Sequence, residues 1–488
     1  VSGPAPHPLE AALHEAELTL TAAPDDPERR FERACLLDAL GRAEARDAYI
    51  EVLAQAPTHF GALANLGALL LKTGYRSAAR TVYEQAVAHH PQSPAAHVNL
   101  ANVLAASEEP AEARRRFEAA LALDAGFVEA HKGLADLLSS EGDDAAARPH
   151  REIAFKDRPV MVLPYRGTGR PVRLLVVAST HGASVPIAHH LDDRVFQTTV
   201  VYVEAFEAAG ALPSHDLVFN AIGDADLCGP ALGLAERLLA KTSAPTINRP
   251  ARVMPTGRAE NARRLAALPG VVTPWMAAIP RERLIGKGAE GALAELGLGF
   301  PVLLRAPGFH AGRFFERVDG PEDLAAAVER IPGEELMALQ FLDAKSADGK
   351  IRKYRAMMIE GRLYPLHAAI SHHWKIHYFS AEMAENPEHR AEDEAFLADM
   401  AGALGPKAMA ALEAIRDALG LDYAGADFSL SPEGEIILFE ANATMVVNPP
   451  DPDPRWDYRR PYVQKVLDSV QRLLREGAVS SRSVQDAV

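Results

Sequence analysis

Asp427, Glu440 and Asn442 fall in one stretch, residues 420–444, where two β-rich runs flank the turn sequence Ser431-Pro432-Glu433-Gly434. Two carboxylates and an amide oxygen form a hard donor set that suits Mg²⁺, whose oxygen ligands lie at about 2.0–2.1 Å. If Leu430 pairs with Glu435, Asp427 lies opposite Leu438 with Glu440 as its diagonal neighbour. Asn442 follows on the same face, because side chains alternate along a strand. Diagonal Cβ atoms are about 7–8 Å apart, a gap that two carboxylates can close around an ion. Phe428, Ile437 and Phe439 then point to the other face as core, and a slip of one residue would separate Asp427 from its partners. The plainer alternative is a strand end with solvated acids. Against it, Glu440 follows the apolar run Ile436–Phe439, where an unpaired carboxylate is costly.

Further polar candidates stand beside other apolar runs. The segment ISHHWKIHYF, residues 370–379, offers His372, His373, Lys375 and His377 just after a strand. They read as a substrate-facing cluster, as a structural group packed by Trp374 and Tyr378, or as a His-rich metal site. His181, in the loop after the run 172–178, and Asn220, Gly223 and Asp224, which end the run 215–221, occupy strand ends where open α/β sheets bind ligands. A solvated loop histidine explains His181 equally well. Arg455, Arg459 and Arg460 follow the 420–444 stretch and suit either an anionic substrate or surface ion pairs.

Positioning these groups requires a sheet framework. The runs 172–178, 198–203 and 215–221, separated by helical stretches such as 229–241, predict an α/β layer with a buried parallel sheet. From about residue 276 the pattern becomes antiparallel, with strands in 299–308, 335–343 and 353–370. The last of these holds a hairpin at Glu360-Gly361, and helices at 321–330 and 406–419 flank the strands. Gly-rich dinucleotide fingerprints and GxxxxGK[ST] loops are absent from the sequence.

The first third is periodic. Tyr49, Tyr83 and Phe117 recur every 34 residues, as do Ala45, Ala79, Ala113 and Ala147. Pro57 and Pro91 stop helices at the same interval. Leu66, Gly67, Ala79, Tyr83, Ala86 and Pro91 together resemble the tetratricopeptide repeat, over about residues 9–157. Arg151 replaces the aromatic in the last unit, as expected of a terminal repeat. The resemblance implies a solenoid that recruits a protein, peptide or carrier partner; stiffening or dimerising the rest of the chain is the alternative.

Across 488 residues the formal charge is −15, which disfavours nucleic acid and anionic membranes as partners. Cys35 and Cys228 are the only cysteines, far apart, so a disulfide framework or structural zinc is not expected. There is no secretory leader pattern and no apolar run of 18 residues, and the expected location is cytoplasmic. The oligomeric state is left open.

Residues 420–444 resemble the metal-binding hairpin of the ATP-grasp superfamily, as in D-alanine–D-alanine ligase and the ribosomal-protein glutamate ligases. The resemblance implies that Asp427, Glu440 and Asn442 bind two Mg²⁺, with Mn²⁺ able to replace them, bridging ATP phosphates. It further implies phosphate contacts from Arg258, Arg305 and a loop at His310–Arg313 containing Gly312, and an adenine hinge at Gln340, Phe341, Leu342 and Asp343. Arg355 would line the substrate and phosphate site, Lys375 would reach the γ-phosphate, and His372 or His377 would serve as base. His181, Asn220, His373 and His377 are the substrate candidates. Arginines stand where the family has lysines, and the phosphate loop is poor in glycine.

The expected organisation is multidomain: an all-α tetratricopeptide solenoid (1–157), a linker (158–171), an α/β pre-ATP-grasp domain (172–275), an α+β ATP-grasp domain (276–475) and a disordered tail (476–488). The implied activity is ATP-dependent ligation of a carboxylate to an amine, or to a thiol, through an acylphosphate. A nucleotide-sensing repeat scaffold and a small-molecule kinase are the competing readings.

Overall fold

The computed structural model describes residues 8–485 apart from 108, 183, 186–190, 207–209, 287, 310–311, 377 and 379–380. It divides into two compact units. The first comprises the chain to Arg158 with Arg166–Arg170 and Pro450–Trp456; the second comprises Pro159–Tyr165, Pro171–Pro449 and the chain from Asp457.

The first unit is built of helices α1 (Pro8–Ala22), α2 (Pro27–Ala39), α3 (Ala45–Gln55), α4 (Phe60–Lys72), α5 (Arg76–His89), α6 (Pro94–Ala106), α7 (Pro110–Leu123), α8 (Val128–Glu141) and α9 (Asp144–Phe155). The predicted periodicity has a direct packing cause. A Cβ added to Gly67 of α4 would lie 2.4 Å from the Tyr83 ring of α5, and one on Gly133 of α8 would lie 2.2 Å from the Phe117 ring of α7. Each repeating aromatic therefore rests on a bare backbone, and the small alanines Ala45, Ala79, Ala113 and Ala147 are fully enclosed. Caps mark the helix starts: Asp26 accepts from Glu28 N–H, and Ser93 from Ala96 N–H. Arg151 takes the last aromatic position and is buried, yet its guanidinium donates to Ser139 Oγ (2.8 Å) and Asp144 Oδ1 (2.7 Å).

The second unit holds three sheets. The first has strand order β1-β3-β2-β4-β5, from β1 (Val160–Val162), β2 (Val172–Ala178), β3 (Phe196–Tyr202), β4 (Leu217–Asn220) and β5 (Thr246–Ile247). Strands β2 to β5 run parallel, as the apolar runs predict. The linker expectation needs correction: Val160–Val162 pairs antiparallel with β3 and extends this sheet. Its β-branched residues lie between Pro159 and Pro164, which keep the strand short.

After α10 (Ala225–Leu239), α11 (Pro250–Val253) and α12 (Arg258–Leu265), the chain adds β6 (Val271–Val272), β7 (Met276–Pro280), α13 (Ala289–Glu295), β8 (Val302–Arg305), β9 (Phe315–Val318), α14 (Pro321–Arg330) and β10 (Glu335–Gln340). Strands β7-β10-β8-β9 form an antiparallel sheet. Then come β11 (Ile351–Ile359), β12 (Arg362–Ser371), α15 (Pro387–Ala398), α16 (Met400–Leu419), β13 (Tyr423–Leu430), β14 (Ile436–Asn442) and α17 (Arg460–Gln485). The third sheet is ordered β12-β11-β13-β14-β6. Glu360 and Gly361 both take positive φ (50° and 69°), as the predicted two-residue hairpin between β11 and β12 demands.

The boundary expected at residue 275 does not separate compact units. One buried cluster joins Leu175, Val177 and Val218 to Tyr354, Phe428 and Leu412, and another joins Leu174 and Val176 to Met357, Tyr423 and Val466. The tail expectation also changes: α17 runs to Gln485, because Val463, Val466, Leu467, Val470, Leu473 and Leu474 bury one helical face.

Gly67→Ala should lower stability by about 1–3 kcal/mol, the usual cost of overpacking, measured by denaturant unfolding. Gly169→Ala is the control, since a Cβ there meets nothing within 4 Å; equal unfolding of the two variants would refute the close-contact account.

Candidate functional site

The third sheet presents two unlike faces. On one, Tyr354, Ala356, Met358, Ala424, Ala426 and Phe428 pack beneath α15 and α16 through Phe396, Leu412 and Ile415. The other is split along its length. Ile359, Met357 and Tyr423 bury against α17, whereas the next residues in the same alternation, Lys353, Arg355 and Asp427, are charged.

Register aligns a polar row across four strands. Glu440 of β14 is opposite Asp427 of β13, Asp427 is opposite Arg355 of β11, and Arg355 is opposite His367 of β12. The expected pairing of Leu430 with Glu435 is replaced by Leu430 with Ile436, and Phe428 rather than Asp427 faces Leu438. A bulge between Asp427 and Phe428 then makes Phe439 the extra residue. The bulge lets Leu438 stay in the core with Phe428 and Ile436 while Glu440 turns to the face of Asp427. Ile437 and Phe439 do not share the Phe428 core as expected; they join Ile351, Leu342 and Trp374 in a separate small cluster.

Cations surround the row. Arg355 Nε and Nη2 donate to Asp427 Oδ1 and Oδ2 (2.5 and 2.8 Å), and Lys353 Nζ lies 2.7 Å from Oδ2. Burial alone would push the Asp427 carboxyl up; Arg355 and Lys353 outweigh it and hold it far below the usual carboxylate range. Glu440 Oε1 accepts from Arg258 Nη2 (2.6 Å) and Asn442 Nδ2 (2.7 Å), while Asn442 Oδ1 accepts from Thr444 N–H and Oγ1. Helix α12 supplies Arg258 and, one turn later, Asn261, which donates to the Ala441 carbonyl between the two candidate ligands (2.5 Å). Asp224, Asp226, Thr256, Arg258, Asn261, Glu440 and Asn442 line one cleft. Burial and the neighbouring Arg258 bring Arg305 down to about 10, with Glu440, Asp224 and Asp226 opposing the shift.

Among the described residues no three His, Cys, Asp or Glu side chains are disposed around a metal position. The candidate set is instead two carboxylates and an amide. The opposed Asp427 and Glu440 carboxylates are of the donor type that a hard divalent cation takes, while Asn442 turns its amide oxygen to Thr444. Arg355, Lys353 and Arg258 already neutralise the two carboxylates, so the face balances charge at that point.

The other expected residues divide into two groups. Lys375 and Gly312 meet: a Cβ on Gly312 would lie 2.7 Å from Lys375 Cε, and Lys375 Nζ donates to the Phe315 carbonyl (3.1 Å). Arg305 lies 5.5 Å from the Phe315 ring, which is 5.4 Å from Trp374, and Leu342 packs with Trp374 and Phe439. Arg313 lies over Phe314, and Phe341 receives the Arg317 guanidinium at 4.2 Å. Gln340 exchanges bonds with the Trp275 backbone, and Asp343 Oδ1 accepts from Lys345 N–H.

Asn220 is corrected. It is 1% exposed and bonds Ile222 N–H and the Ile222 and Asn248 carbonyls, so it is a structural tie and no substrate contact. His181 is drawn to Glu204 (3.2 Å). His372 and His373 are exposed, the latter 4.0 Å from Glu382. His310 and His377 lie outside the described residues. Arg459 is no surface pair: it is buried over the Tyr378 ring at 4.2 Å.

Sequence reasoning missed Lys353, His367, Asp226, Asn261 and Asp393. Lys353 was findable, two residues from Arg355 on the same strand. His367 was not, because a bulge between Arg355 and Ala356 shifts its register.

Residues 60–103 match the family model described as the tetratricopeptide repeat, so this part of the chain consists of such repeats. No curated protein matches the chain. Similar solved structures include MamA from Desulfovibrio magneticus RS-1 (26% identity, 29% of this chain and 81% of that one, TM-score 0.27). A thermophilic TPR protein from Thermus thermophilus is similar at 26% identity over 31% of this chain and 84% of that one, TM-score 0.27. Scores this low define no fold for the chain as a whole. Among the described residues no helix is long and apolar enough to cross a membrane.

Asp427→Asn should destabilise the protein by about 2–3 kcal/mol, because it removes the buried charge that two half-buried cations, Arg355 and Lys353, pair with; an unchanged unfolding midpoint would contradict the ion-pair geometry. His367 is held neutral, its pKa pushed well below the ordinary value by burial and then by Arg355 and Arg459. The unfolded chain therefore takes up a proton near pH 6.5 that the folded one refuses, and stability falls as pH drops below that value. His367→Gln should remove about 2 kcal/mol of the loss between pH 6.5 and 5, read from denaturant midpoints across that range; parallel curves would refute a neutral His367.

Proposed function

We propose that the sheet-rich unit is an ATP-grasp domain that binds ATP with Mg²⁺ and ligates a carboxylate to an amine, or to a thiol, while the repeats recruit a protein, peptide or carrier partner. The observation that carries this reading is the Glu440–Asp427–Arg355 row, flanked by Asn442 and Lys353 on one sheet face. Asp427, Glu440 and Asn442 would hold the metal, which when bound supplies positive charge against the phosphate oxygens.

Arg258 and Arg305 offer the cleft two further cations for phosphate. Lys375 and Gly312 lie side by side, which supports a role for the lysine at the γ-phosphate. Phosphoryl transfer depends mainly on positioning and charge neutralisation, and these residues supply both. The carboxylate oxygen attacks the γ-phosphoryl to give an acylphosphate and ADP; the amine nitrogen then displaces phosphate. Exposed His372 is the candidate to accept the amine proton.

One observation favours a second reading. Asp427 is enclosed and already bonded to two cations, an arrangement that suits a repeat scaffold whose second unit senses nucleotide without turnover.

ADP release measured with Mg-ATP against pools of carboxylates and amines separates the readings. Amine-dependent ADP supports the ligase, a phosphorylated product without amine indicates a kinase, and tight Mg-ATP binding without turnover indicates the sensor. Glu440→Gln should cut turnover by more than about 100-fold with circular dichroism unchanged. Failure of the wild-type protein to bind Mg-ATP would sink both nucleotide readings.

A further inference from the structure

Asp393 of α15 is 0% exposed, and no element of the proposed chemistry uses it. Its Oδ1 accepts from Ala368 N–H of β12 (2.6 Å), beside His367. Its Oδ2 accepts from Tyr458 Oη (2.6 Å) and Tyr378 Oη (3.3 Å), with Arg459 Nε 3.7 Å away. One carboxylate thus ties the sheet to Tyr378, which follows Lys375 by three residues, and to the segment entering α17. Arg390, one turn earlier on α15, donates to the Met383 and Ala384 carbonyls at the far end of the same connection (2.9 and 2.7 Å). The Tyr378 ring packs between the Arg459 guanidinium and the His367 imidazole, the latter at 4.6 Å, and His367 is opposite Arg355. An enclosed carboxylate satisfied by this many donors rigidifies the segments it joins.

We infer that Asp393 is a positioning residue: it latches the segment carrying Lys375 against the sheet, so that Lys375 stays beside Gly312. The inference rests on the proposed nucleotide site for its purpose, though the latch itself does not. Burial raises the Asp393 pKa, with Arg459, Tyr458, the Ala368 N–H and Tyr378 opposing, so the donors are what keep a carboxylate tolerable there.

The test uses the full chain with Asp393→Asn, Lys375→Ala, the double variant and Tyr458→Phe. Hydrogen exchange over residues 371–376 should quicken about tenfold in Asp393→Asn, as local opening becomes easier. Tyr458→Phe keeps the Ala368 and Tyr378 bonds; it should move the same segment by a smaller factor and covers the case in which Asp393→Asn fails to fold. Mg-ATP affinity, by calorimetry, should weaken about tenfold in each of Asp393→Asn and Lys375→Ala, and no further in the double variant. Additive losses would mean that Asp393 supports only general stability, and would overturn the inference. Unchanged exchange at 371–376 in both Asp393→Asn and Tyr458→Phe would overturn the latch itself. Wild-type protein that binds no Mg-ATP refutes the nucleotide site, while the exchange arm still decides the latch.

Discussion

The carboxylate of Asp427, clasped by Arg355 and Lys353, is the interaction on which the second unit depends. A charge so enclosed needs partners at hydrogen-bond distance, and those partners must come from a strand directly alongside. That requirement fixes the register of β13 against β11. Once β13 is fixed, the hairpin to β14 carries Glu440 and Asn442 to the same place, and Arg258 and Asn261 of α12 have a strand end to hold. The polar row also explains why the adjoining part of that face is strictly apolar. Met357, Ile359 and Tyr423 bury against α17, so the charged end cannot slide inward without exposing them.

The repeat unit rests on a different constraint, steric and short-range. Aromatic rings lie on glycine backbones at Gly67 and Gly133, and enclosed alanines let paired helices approach. Such contacts recur at fixed intervals and involve near neighbours in sequence, which is why the period of 34 was visible in the letters alone. Most strands of the second unit were equally legible, since β2 begins and ends where the apolar run does and the Glu360-Gly361 turn fixes β11 against β12.

Legibility failed where one residue's place depended on a distant partner. The alternation rule put Asp427, Glu440 and Asn442 on one face, but with the wrong pairing, because a bulge is not encoded in period-two arithmetic. The same limit hid His367, moved by the irregularity between Arg355 and Ala356. Asn220 looked like a ligand because it ends a strand; its amide instead closes bonds to Ile222 and Asn248, a partner 28 residues away. Asp393 carried no signal at all, since its donors come from β12, the following connection and the start of α17.

The bulge at Phe439 has a meaning for how this hairpin can change over generations. It sets the face on which Glu440 stands for this one spacing of the strands, so the turn 431–434 cannot change in length without cost. A single-codon insertion or deletion there would trade the faces of Leu438 and Glu440, placing a carboxylate in the core and a leucine in the cleft. Substitutions at Pro432 and Glu433 are therefore open to drift, whereas Gly434, at a φ of 75°, and Ser431, which accepts from the Glu433 and Glu435 N–H groups, are held in kind, and indels should be purged. Length, together with the glycine at 434 and the core residues of the two strands, is what natural variation can be expected to preserve between Asp427 and Glu440.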